Sequence, residues 1–273
     1  MQKAIIVITD FSDSAGNEMD YACDLAKGHD TRILLTYIYS FPLSYRGEGF
    51  APAVINDILD SDRKILEKKL EQAKSKYPQV SIEIKMMIGN VLESLRELER
   101  ELNPEMIIMG TIGEYSELLL WNDEWLDALT GISSPVLVIP KHVPHNQIRN
   151  IAFACDYKNA FSPLQIETIK KLVTTLSGAS LHIIHVSPGI DEEENKNAAL
   201  IKKAFGLMKP QYHLVENKQV IKGLDEFVLQ NQIDLLIVVP HKHDFWHNLF
   251  HRSHTRQLVQ LNHIPVMAIH EYN

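Results

Sequence analysis

The sequence predicts two doubly wound α/β domains in tandem, each a five-stranded parallel sheet flanked by helices. Three observations predict it. Short β-branched runs without polar alternation suit strands buried on both faces, and they alternate with amphipathic helical stretches. The chain also reads twice. Ile107-Ile108-Met109-Gly110-Thr111-Ile112-Gly113 leads to Pro135–Pro140, and Ile237-Val238-Val239-Pro240-His241-Lys242-His243 leads to Pro265–Ile269. Gly110 and Pro240 stand 130 residues apart, as do Pro135 and Pro265. Finally, an aspartate closes the first strand of each copy, Asp10 and Asp156, 146 residues apart. A repeat this long is a duplicated domain rather than a solenoid unit.

The elements follow in order. Ile5–Thr9 is the first strand, and Asp13 or Ser14 can cap a helix that Gly28 ends, with Met19, Ala22 and Ala26 on one face. Ile33–Tyr39 is the second strand. A loop rich in Gly, Pro and aromatics, Ser40–Ala53, is long enough for a lid or binding loop. A charged helix from Ile55 to Lys76 stops at Pro78, and Ser81–Met87 alternates like an exposed strand. Val91, Leu92, Leu95, Leu98 and Leu102 mark the next helix, ended by Asn103-Pro104. Met106–Met109 and Val136–Ile139 complete the first five strands.

Residues 1–140 form the first predicted domain, 141–147, with Pro144, a linker, and 148–273 the second. The second copy restarts at Ile151 and is 16 residues shorter, the difference between the two repeat spacings. Much of that loss is expected where the long loop shrinks to Ser187–Asn195.

The 273-residue length suits two domains of ordinary size. A formal charge of -8 without a Lys/Arg-rich block argues against a nucleic-acid surface, which needs a basic stripe. Cys23 and Cys155 are too few for a disulfide scaffold and lack a C-x-x-C spacing, so a reducing cytoplasm is the expected compartment. The opening apolar run is too short for a secretory signal, and no run approaches the roughly 20 residues of a membrane helix.

Asp10-Phe11-Ser12 with the helix through Leu25-Ala26-Lys27, the turn Gly89-Asn90-Val91, and Met109-Gly110-Thr111 with Pro135-Val136-Leu137-Val138-Ile139-Pro140 resemble the universal stress protein family in order and spacing. The resemblance implies a tandem member with the fold of adenine-nucleotide hydrolases. It also implies that Val136–Ile139 and Val266–Ile269 meet antiparallel, so that the two halves form an intramolecular pseudo-dimer.

Nucleotide-binding members of the family carry G-x2-G-x9-G-[ST] around the ATP phosphates and an aspartate after the first strand that contacts adenine. Carried over, Asp10 and the backbone of Ile38 would hold a base, while Gly110, Thr111 and Gly113 would approach phosphate. The last pair of the motif departs, since Asp123 and Glu124 stand where Gly and Ser or Thr belong. Their charge would occupy the positive end of a helix dipole. Each would oppose a phosphoryl charge by roughly 3 kcal/mol at about 5 Å and an effective dielectric near 20. Two readings stay open, plain helix capping and a role in excluding or coordinating a ligand; unless Mg²⁺ bridges the carboxylates a triphosphate should bind poorly, and the cofactor to expect in this domain is ATP or AMP with Mg²⁺.

The second copy has Pro240 and His243 at the glycine positions and Ser253-His254 at the terminal pair, so an ATP loop is not expected there. A histidine-rich stretch replaces it. If helical, Asp244, His247, His251 and His254 share one face, a donor set suited to Zn²⁺. The alternative is a solvated histidine face with Trp246, Leu249 and Phe250 packed inward.

No G-x-S-x-G, G-x4-G-K-[ST] or H-E-x-x-H motif is present, and no catalytic residue is assigned. The expected function is a cytoplasmic stress protein of regulatory or binding type with a degenerate nucleotide site in domain 1. The alternatives are an ATP-binding switch with weak ATPase activity and a small-ligand or zinc module. Protein partners and further homo-oligomers are open.

Overall fold

The computed structural model describes residues 2–11, 15–39, 52–110, 131–158, 160–176, 178–187, 192–239, 261 and 263–270. Among them the strands are β1 (Lys3–Ile8), β2 (Thr31–Tyr39), β3 (Ile82–Ile88), β4 (Met106–Gly110), β5 (Val136–Ile139), β6 (Asn150–Ala154), β7 (Ser180–Ser187), β8 (Gln211–Glu216), β9 (Leu235–Val238) and β10 (Val266–Ala268). The helices described are α1 (Ala15–Ala26), α2 (Pro52–Lys76), α3 (Val91–Leu102), α4 (Pro163–Thr175), α5 (Glu192–Phe205) and α6 (Val220–Gln230). This is an α/β doubly wound fold.

The strands lie in one sheet in the order β3-β2-β1-β4-β5-β10-β9-β6-β7-β8. Every neighbouring pair is parallel except β5 with β10, where Val136, Leu137 and Val138 stand opposite Ala268, Met267 and Val266. Strand order therefore reverses twice, between β1 and β4 and between β6 and β9. A parallel strand buried on both faces needs apolar residues on both, and β1 supplies them: Ile5 and Val7 point into one core, Ile6 and Ile8 into the other. The first core packs α1, α2, α4 and α5 on one face of the sheet; the second packs α3 and α6 on the opposite face. Each core runs through both halves of the chain.

Helix ends follow local chemistry. Asn90 caps α3 by accepting from the Glu93 amide at 3.1 Å, and Asn103 ends it in the left-handed region at φ 43°. Ser162 and Gln165 form a reciprocal capping box on α4, with Pro163 in the first turn. Likewise α2 starts at Pro52 rather than at Ile55, because proline suits a first turn whose amides need no helical partner. The shortening of the second half is shared by the helix, 25 residues in α2 against 14 in α5. It does not fall in the connection alone.

Residues 141–147 lie against α1. Asn17 donates to the Val143 carbonyl at 2.9 Å, and the His145 ring meets Tyr21 edge-on at 4.8 Å. Its Nε2 approaches Asp24 Oδ2 to 2.9 Å without hydrogen-bond alignment. Beyond it, the Asp234 carboxylate accepts from the Arg149 and Asn150 amides, both at 2.8 Å, fixing the start of β6 beside β9. Glu105 crosses between the halves, pairing with Lys3 at 3.1 Å and with Lys171 of α4. No helix among the described residues is long and apolar enough to cross a membrane.

Candidate functional site

Ligands of doubly wound sheets sit beyond the carboxyl ends of the strands where strand order reverses. In the first half that crevice lies between β1 and β4. Asp10 follows β1 and is exposed, whereas Gly110 ends β4 beside Ile139. On the β2 side, the Thr9 amide donates to the Thr36 carbonyl and the Gly89 amide to the Tyr39 carbonyl, each at 3.0 Å. Main-chain groups of alternate residues face alternate neighbours, so those of Ile38 point toward the β1 side, past the end of β1. Asp10, Ile38 and Gly110 thus border one crevice.

Two features of this crevice escaped the sequence reading. Phe11 adopts φ 64°, a left-handed conformation that is uncommon for a bulky residue, and its amide donates to Thr9 Oγ1 at 3.2 Å. The turn lays its ring on Tyr37, with centroids 4.0 Å apart and 29° between planes. Burial pushes the Tyr37 phenol up to about 12, with the neighbouring Asp62 carboxylate adding to it. The second feature is Glu18, on the face of α1 that packs over the sheet and only 3% exposed. Its carboxyl covers the open side of Gly110: a Cβ added there would lie 2.9 Å from Glu18 Cδ and would collide with Oε1. Burial raises the Glu18 carboxyl to about 7, with Asp10 and Asp20 contributing; a bond to its own backbone and the Lys69 charge act the other way.

The second half repeats the aromatic pair at the same register. Ile8 pairs with Thr36 and Ala154 with Ile184, which makes Tyr157 the counterpart of Phe11 and His185 that of Tyr37. Tyr157 and His185 stack at 4.3 Å and 25°. Asn197 of α5 donates to the Tyr157 carbonyl at 2.6 Å, closing this turn down. Helix faces correspond too. Glu18, Ala22 and Leu25 are buried at the spacing of Gln165, Ile169 and Leu172, so the partner position of Glu18 carries a neutral amide whose Oε1 is engaged in the α4 capping box and whose Nε2 has no hydrogen-bond partner among the described residues.

Thr111, Gly113, Asp123 and Glu124 lie outside the described residues, as do Asp244, His247, His251 and His254. Among the described residues no group of three or more His, Cys, Asp and Glu is placed to hold a metal ion. His182 and His213 do meet, Nδ1 to Nε2 at 3.1 Å with Phe227 edge-on. Burial lowers both imidazole pKa values, and for His182 the His213 charge lowers it further. Both cysteines are buried free thiols, Cys23 pushed up to about 12 by burial and Cys155 raised well above the usual range. A cavity of about 280 Å³ lined by Lys3, Glu105, Pro135 and Lys171 sits at the opposite, amino end of β1 and β4. That end is not where this sheet class binds ligands.

These features define a doubly wound α/β protein whose strand order reverses once in each half. Residues 1–140 match the model of the universal stress protein family, and the chain belongs to that family. Over its full length it is similar to a universal stress protein from Archaeoglobus fulgidus, with TM-score 0.75 and 15% identity, covering 100% of this chain and 98% of that one. A functionally unknown protein from Pseudomonas aeruginosa PAO1 gives TM-score 0.62 at 12% identity, over 98% and 92% of the two chains. The cytoplasmic domain of a prokaryotic cation chloride cotransporter gives 0.57 at 10% identity, over 98% and 95%. At such identities these likenesses establish the fold. No curated protein sequence matches the chain significantly.

Proposed function

We propose that this is a cytoplasmic universal stress protein of regulatory or binding type with a degenerate adenine-nucleotide site in its first domain. Its domains are residues 1–140 and 148–273, joined by 141–147 and paired through β5 and β10 as an internal dimer. The observation that carries the reading is the crevice at the β1/β4 reversal, bordered by Asp10, the Ile38 main chain and Gly110. A carboxylate and a main-chain carbonyl suit the exocyclic amine of adenine, and the Phe11–Tyr37 pair offers aromatic surface to a base. Phosphates would extend toward Gly110, Thr111 and Gly113. There Asp123 and Glu124 would oppose a triphosphate unless Mg²⁺ bridged them. The second domain, with Pro240 and His243 at the glycine positions, holds no ATP loop in this reading, and no turnover is assigned to either domain.

Calorimetry with Mg-AMP, Mg-ATP and Zn²⁺ tests it. AMP is expected to bind more tightly than Mg-ATP, and Asp10→Ala should abolish both. Asp123→Gly with Glu124→Ser should improve triphosphate binding. Micromolar Mg-ATP binding by the unaltered chain would instead support an ATP switch. A zinc response lost on replacing His247, His251 and His254 would support a metal module. Silence from all three ligands and from adenosine would make the chain an interaction scaffold.

A further inference from the structure

We infer that Glu18 sets the ligand preference of the β1/β4 crevice, favouring an uncharged adenine nucleoside over its phosphorylated forms. This deepens the adenine reading above and rests on it. Gly110 leaves open main chain at the end of β4, the kind of surface that a phosphate approaches closely. Here the opening is already taken, because the Glu18 carboxyl lies directly over it. Glu18 is only 3% exposed, and its Oε2 is buried with no hydrogen-bond partner among the described residues.

A buried acceptor without a partner calls for a donor. The hydroxyl of a ribose can give Oε2 a hydrogen bond, whereas an ionised phosphoryl oxygen has no proton to give and adds like charge. Asp10, at the end of β1, and Asp20, on the same helix, add to that negative field; Lys69 of α2 opposes it. In the second half the corresponding Gln165 is neutral, and its Oε1 accepts from the Ser162 amide at 2.8 Å. The carboxyl over the glycine is therefore particular to the first half and not demanded by helix capping.

The test is calorimetry on the full chain with adenosine and AMP at pH 6 and pH 8, using the unaltered protein, Glu18→Gln and Glu18→Ala. Circular dichroism checks that each variant is folded. The unaltered chain should bind adenosine at least about tenfold more tightly than AMP at pH 8, and both variants should narrow that ratio to about threefold or less. Its AMP affinity should also fall from pH 6 to pH 8 more steeply than that of Glu18→Gln, which retains only the ionisation of the phosphate itself. Adenosine binding without an AMP gain in either variant would overturn the role of Glu18 and leave the adenine reading standing. AMP bound as tightly as adenosine by the unaltered chain at pH 8 would do the same. Failure of all three proteins to bind either ligand would overturn the adenine reading, and the role of Glu18 with it.

Discussion

Replacing Glu18 by Gln should change the stability of the fold in a pH-dependent way, whatever the ligand. Burial lifts the carboxyl from 4.5 to about 7 in the folded protein. A raised carboxyl pKa means that the folded state holds its proton more tightly than the unfolded state, so stability present below pH 4.5 is lost as pH rises to about 7. At about 1.4 kcal/mol per unit, the shift corresponds to roughly 3 kcal/mol, most of which is lost between pH 5 and pH 8. Gln keeps the shape and lacks the ionisation, but its amide meets the same shortage of partners, at a cost of about 1–3 kcal/mol at either pH. The expected signature is therefore the difference between the two pH values. Relative to the unaltered chain, the variant should gain roughly 2–3 kcal/mol on going from pH 5 to pH 8. Urea unfolding followed by far-ultraviolet circular dichroism, extrapolated linearly at each pH, measures it. A relative stability that stays constant within about 0.5 kcal/mol would refute the burial argument, because an exposed carboxyl adds no such slope.

Other perturbations follow from the same packing. Leu137 is fully buried opposite Met267 across the antiparallel junction, so Leu137→Ala should cost about 2–5 kcal/mol in urea unfolding; a loss below about 1 kcal/mol would contradict the burial. Phe11→Gly relieves a left-handed backbone worth about 1–2 kcal/mol and loses an aromatic pair worth about 0.5–1.5 kcal/mol. Because the ring also loses its burial against the core, the melting temperature should fall modestly, and adenosine affinity should fall with it; unchanged affinity would remove the aromatic pair from the site. The thiols of Cys23 and Cys155 should resist iodoacetamide at pH 8 until the chain is denatured, as read by mass spectrometry, since burial keeps both protonated. His182 and His213, whose folded pKa values are lowered, contribute stability above the usual imidazole range that is lost as pH falls; His213→Gln should flatten that acid limb of the unfolding profile.

The strands were readable because burial on both faces leaves little room for polar residues, as in Ile5–Ile8 and Leu235–Val238. Asp10 and Gly110 were readable as strand-end residues, since chain order alone places them at the carboxyl ends of β1 and β4. Glu18 was hidden by its chemistry. A glutamate in a helix reads as part of the solvated face, and only the packing of α1 over β4 shows that it shares a stripe with Ala22 and Leu25. Phe11 was hidden by conformation, because nothing in Asp10-Phe11-Ser12 announces a positive φ at a phenylalanine. The His182–His213 contact depends on the register of β7 against β8, which places His213 beside Ile184 rather than beside His182. Local periodicity carries no information about such register.

The antiparallel β5–β10 junction joins two halves that are chemically unlike, with Glu18 over Gly110 in one and Gln165 Oε1 engaged in a helix cap in the other. Halves made as separate chains would assort into a mixture of like and unlike pairs unless their interfaces had also evolved to choose. Carried on one polypeptide, they meet in a fixed one-to-one ratio at every concentration, and dilution cannot exchange them. Either half is therefore free to change the chemistry at its strand ends without the interface having to encode which half belongs beside which.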